Sequence, residues 1–133
     1  MSSAIFEAEC SIAELIKKEV DETTHVHSGT PQSFLAGFNN ELPCILVSYT
    51  GSTPYKNMYP GELSFIVSYI SYRTDRETIY NKMEKVVARL LHKELNGLNA
   101  PLLLQSEQIA YEDGNYLVFT QQWTCTKIEI TDY

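Results

Sequence analysis

From Ser3 to Val20 the apolar residues Ile5, Ala8, Ile12, Leu15, Ile16 and Val20 recur at steps of three and four, and Glu14 can pair with Lys18 one turn on. This spacing predicts an amphipathic helix. Asp21 to Asn40 gathers Thr, Ser, Gly29, Pro31, Gly37 and the pair Asn39-Asn40 around isolated Val26, Phe34, Leu35 and Phe38, which reads as a long loop. Residues 24–28 are able to supply a strand within it. Pro43 to Tyr49 is a short run of β-branched and apolar residues and predicts an interior strand. Thr50 to Pro60 reads as a connection, with Gly51-Ser52-Thr53 as a turn. In Glu62 to Arg73, Leu63, Phe65, Val67 and Tyr69 share one parity and Ile66, Ile70 and Tyr72 the other, so a strand covered on both faces is expected.

Thr74-Asp75-Arg76-Glu77 has the spacing of a capping box and predicts a helix start. The apolar face that follows runs Ile79, Met83, Val86, Val87, Leu90, Leu91 and Leu95, and Asn96-Gly97 supplies a left-handed stop. Leu102 to Tyr111 predicts a strand, and Asp113-Gly114 a tight hairpin turn. Tyr116 to Ile130 is β-rich, with Leu117, Phe119, Trp123 and Cys125 on one parity and a flip at Ile128 and Ile130. Fifteen unbroken strand residues would span roughly 50 Å, so a bulge near Lys127 is expected. The order helix, strand, strand, helix, strand, strand predicts a single α+β domain over residues 1–133, a mainly antiparallel sheet with two helices packed on one face.

At 133 residues and 44% hydrophobic, the chain can bury a core, which excludes disorder throughout. Its net charge of −7 repels phosphate and argues against sequence-independent nucleic-acid binding. No apolar run approaches the roughly 20 residues of a membrane span, and the acidic start MSSAIFEAECS lacks the Lys or Arg of a secretion signal, so a cytoplasmic protein is expected. Cys10, Cys44 and Cys125 are widely spaced and odd in number, as reduced core thiols would be.

Candidate chemistry is thin. His25-Val26-His27 places two imidazoles on one strand face, where Asp21 or Glu22 could complete a metal site; exposed histidines are the plainer reading. Cys44 follows Pro43 inside an apolar run and reads as a small core residue, a nucleophile only if a histidine lies beside it. Gly51-Ser52-Thr53 fits neither a nucleophile elbow nor a phosphate loop. No carboxylate pair sits in an apolar context. The expectation is therefore no enzyme, no metal and no cofactor. Charge is the stronger local signal: Lys82, Lys85, Arg89 and Lys93 form a basic row at helical steps, while the first helix and its exit carry Glu7, Glu9, Glu14, Glu19, Asp21 and Glu22 against Lys17 and Lys18. Such a row is a solvated face or a docking face for an acidic partner, a second copy of this chain among them. Tyr49, Tyr55, Tyr59, Tyr69 and Tyr72 cluster around the first strand pair, and tyrosine serves both cores and interfaces.

The stretch Leu42-Pro43-Cys44-Ile45-Leu46-Val47-Ser48-Tyr49, the Gly-bearing connection, the strand ending Tyr72-Arg73 and the helix of type Tyr-x-x-Met-x-x-Val (Tyr80 to Val86) resemble the tail terminator proteins of Mu-like phages, which have contractile tails, and of phage-tail-like bacteriocins. The likeness is clearest from about Leu42 to Leu95. It implies a structural subunit, assembled in the host bacterial cytoplasm, that forms a six-membered ring on the head-proximal end of the tail tube and stops its polymerisation. Its implied partners are other copies of itself and the tail tube protein, with sheath and head-connector proteins as further neighbours, and neither membrane nor specific nucleic acid. The residues expected at interfaces are Lys82, Lys85, Arg89, Lys93, Tyr55, Tyr59, Glu14 and Glu19. A head-tail joining protein and a small adaptor or regulatory module are the alternatives.

Overall fold

A computed structural model describes residues 4–20, 25–28, 42–55, 58–94 and 101–129. The first helix, α1 (Ala4–Glu19), is followed by β1 (His25–Ser28), β2 (Cys44–Tyr55) and β3 (Met58–Tyr72). A 3-10 turn (Arg73–Asp75) leads into α2 (Arg76–Leu90), and β4 (Leu102–Glu112) and β5 (Tyr116–Glu129) complete the fold. The five strands form one sheet in the order β1-β2-β3-β5-β4, parallel only between β1 and β2. This is the α+β architecture that the sequence predicts, with residues 25–28 as the extra strand.

One face of the sheet carries both helices. Ala8, Ile12 and Ile16 of α1 and Ile79, Met83, Val86 and Leu90 of α2 pack on Ile45 and Val47, Leu63, Phe65, Val67 and Tyr69, and Leu117, Trp123 and Cys125. The alternation in β3 and β5 thus selects the helix-covered face, since apolar burial at about 25 cal/mol per Å² outweighs any other preference along a strand. α1 lies over β1 and β2, and α2 lies over β3 and β4. On the helix-free face Cys44, Leu46, Ser48, Ser68 and Ile70 are also buried, in keeping with a strand pair covered on both sides.

Several boundaries differ from expectation. Residues 50–55 and 58–60 are paired strand, not connection, because β2 and β3 continue as a hairpin and β5 reaches far enough to pair with Pro60 and Gly61. Gly51 lies within β2, directly after the bulge residue Thr50, at a φ of 154°. Thr74 forms no capping box: α2 starts at Arg76, its N-cap is Asp75 with no side-chain cap bond, and the Asp75 carboxylate accepts from Ser71 Oγ at 3.1 Å. α2 ends at Leu90, before the Asn96-Gly97 stop, which lies outside the described residues with Leu95. The chain turns sharply there, with His92 at a φ of 63° and Leu91 exposed. The β4–β5 turn centres on Gly114-Asn115, one residue later than Asp113-Gly114 predicts. Asp113 N–H donates to Tyr116 O, and its carboxylate accepts both the Asn115 and Tyr116 amides. The bulge expected near Lys127 is present, since two residues of β5, 126 and 127, face only Glu62 of β3.

Candidate functional site

Histidines and cysteines are the residues with catalytic or metal-binding potential, and the structure places them as follows. His25 and His27 lie on β1 with their rings 6.4 Å apart, so the strand does place both imidazoles on one face. Among the described residues no group of three or more His, Cys, Asp or Glu could hold a metal; Asp21 and Glu22 lie outside them. Cys44 is fully buried in β2, as a core residue should be. Cys125 is fully buried as well, and desolvation pushes its thiol up to about 11, far from nucleophilic use. Ser52 sits in mid-strand rather than on a strand-to-helix elbow.

One groove opens at the end of the sheet where β3, the 3-10 turn and the β4–β5 hairpin meet. It is lined by Tyr72, Arg73, Arg76, Glu77, Asn115 and Tyr116. Tyr72 and Tyr116 stack with centroids 6.0 Å apart, and an Arg73 N–H to Asn115 O bond of 2.9 Å ties the wall to the turn. Tyr111 donates to Asp113 at 2.7 Å, a bond that raises the phenol's pKa and holds the Asp113 carboxyl below its ordinary range, helped by the two turn amides. Arg73 meets Glu112 at 3.6 Å, an exposed pair of little energetic weight. The groove thus presents two half-exposed tyrosines beside the Arg73–Glu112 pair.

The charged helices carry a clearer arrangement. On α1, Glu7, Glu14 and Glu19 are exposed, while Glu9 reaches back to accept the Tyr49 amide at 2.8 Å. That bond matters because β1 pairs with residues 44–47, and among the described residues no strand continues beyond it to meet the next outward amides of β2. On α2, Lys85 and Arg89 are exposed and Lys82 is half-buried. Lys93 falls outside the row: the helix has ended, and its backbone is engaged by Leu90 and Leu102 instead. The basic row is thus Lys82, Lys85 and Arg89. Because α1 covers the β1–β2 side and α2 the β3–β4 side, the acidic and basic helices flank opposite halves of one layer. Tyr55 and Tyr59 sit at the β2–β3 hairpin end by backbone, and their side chains lie outside the described residues.

Sequence reasoning missed Glu9 as a strand cap and the aromatic end formed by Tyr72, Tyr111 and Tyr116. The parity of Tyr72 placed it off the core face, but only the pairing Tyr72 with Tyr116 brings the two together. No protein-family model matches this chain, and no curated protein matches it in sequence.

Proposed function

We propose that this protein is a structural ring subunit of the tail-terminator type, which caps a tail tube and offers a joining surface above it. The observation that carries the reading is the division of charge between the two helices across one sheet. A cyclic ring needs two different, complementary patches on each subunit. Exposed Glu7, Glu14 and Glu19 lie on α1 and exposed Lys85 and Arg89 on α2, and because the two helices cover different strands they offer two patches of different character, acidic residues on one and a basic row on the other. A net charge of −7 suits a channel wall along which DNA must pass without sticking.

Sedimentation velocity over a wide concentration range tests the reading, together with electron microscopy of tail tubes grown in its presence. The expected results are a discrete species near six times 15.2 kDa and tubes blunted at one end. A monomer at every concentration that also leaves tube growth unaltered overturns it.

A further inference from the structure

We propose that neighbouring copies join edge to edge, the outer edge of β4 in one copy pairing antiparallel with the outer edge of β1 in the next. This specifies the self-contact of the ring reading above and rests on it. Among the described residues the strand order leaves β1 and β4 at the two edges of the sheet. At the start of β4 the outer side is occupied, because Leu102 N–H donates to Lys93 O at 3.0 Å and Leu102 O accepts from His92 N–H at 2.8 Å. Beyond it, Gln105 to Glu112 are all exposed and find no outer strand among the described residues. Such a row of open amides and carbonyls is a template for another strand.

Length, height, direction and side-chain character all match. Bulges at Gln105 and Ala110 leave Ser106–Ile109 as the regular part of β4, four residues opposite Gln122–Phe119; β1 is also four residues long. Followed across the sheet, the register reads His27, Leu46, Ser68, Thr120, Gln108 and, one step away, Val26, Ile45, Tyr69, Phe119, Ile109. The two edges therefore stand at the same height along the strands. β1 runs with β2, while β3, β5 and β4 alternate, so β4 runs against β1. A rotation about an axis along the strands preserves these directions and makes the joint antiparallel, the pairing with the better hydrogen-bond geometry. The joint sets Gln108 beside His27, Glu107 beside Ser28 and the 45% exposed Ile109 beside Val26, with no like charges opposed. It also brings α2 of one copy alongside α1 of the next on the same face of the continued sheet. The two bulges confine the ladder to four residues and so discourage the indefinite edge stacking that a long flat strand would allow.

Disulfide trapping tests the joint. In a Cys10→Ser background, His27→Cys is combined with Gln108→Cys, and the register shifted by two residues is probed twice, with His25→Cys plus Gln108→Cys and with His27→Cys plus Ser106→Cys. Glu14→Cys plus Lys85→Cys reports on the helix flank alone. Thermal melts confirm that each variant folds. Directly opposed residues have Cβ atoms about 4.5–5.5 Å apart, within reach of a disulfide after small adjustment. Oxidation should yield a covalent series of multimers from a strand pair, and none from either single variant. Oligomers that form without a cross-link in any strand pair overturn the edge joint and leave the ring reading standing. A failure to oligomerise at any concentration or on a tube overturns both.

Discussion

Gln121 is a polar side chain at the centre of the core, and each of its atoms is used. Its amide donates to Met83 O and to Glu107 Oε2, both at 3.0 Å, while its Oε1 accepts from Trp123 Nε1 at 3.2 Å. One residue thereby ties α2, β4 and the largest core side chain together. Gln121→Leu leaves the indole N–H unanswered in a dry site, at a cost of about 2–4 kcal/mol. The expected readout is a Tm lower by roughly 10 °C with altered Trp123 fluorescence. The Tyr111–Asp113 pair makes a pH prediction. Because the folded Asp113 carboxyl titrates below its unfolded counterpart, its contribution is present above the unfolded value and fades as pH falls through the folded one. Tyr111, whose folded pKa is raised, contributes below the ordinary phenol range and loses that contribution as pH rises through the raised value. In a carbon-detected NMR titration, Tyr111→Phe should move the Asp113 midpoint upward, and an unmoved midpoint would refute the assignment. Thiol chemistry follows burial: Cys10 is half-buried and Cys44 and Cys125 are fully buried, so a thiol reagent should label one cysteine in the native protein and three after denaturation.

Among the elements, those set by burial were legible and those set by competing hydrogen bonds were not. The helical spacing of Ile5 to Val20 and the alternation of Leu63 to Tyr69 each encode which side meets the core, and each is realised. The start of α2 was misread because two oxygens compete there. Thr74 and Glu77 have capping spacing, but the 3-10 turn places Asp75 at the cap position and turns its carboxylate toward Ser71. Thr74→Ala should therefore change stability by less than about 0.5 kcal/mol, where a true cap would cost about 1 kcal/mol; chemical denaturation separates the two. The hairpin arm was misread because Gly51 and Pro54 signal a turn locally, whereas the partner strand that carries Tyr49 onward, residues 58–65, is distant information. The charged faces were legible as helical rows, but their assignment to opposite flanks depends on which strands each helix covers. Only topology supplies that.

For the whole molecule, the proposed ring would make assembly and folding respond to salt differently, since its contacts would be charged while the core is apolar. Exposed charges are screened within about 8 Å at physiological ionic strength, whereas the apolar core is indifferent to added salt at that level. Lys85→Glu with Arg89→Glu should weaken self-association at least tenfold and shift Tm by only a degree or two, and Glu14→Lys with Glu19→Lys on a second population should restore mixed association. Unaltered self-association would refute the charge pairing. The position of β5 has a further consequence in time. It is the last strand in sequence yet lies between β3 and β4, so the strands made earlier cannot form the finished sheet without it. A chain still emerging from the ribosome holds β4 with no place to dock, and its edge takes shape only when Tyr116–Glu129 has been released. Synthesis thus delivers the seam between β3 and β4 as a later step, closed only once Tyr116–Glu129 has been made.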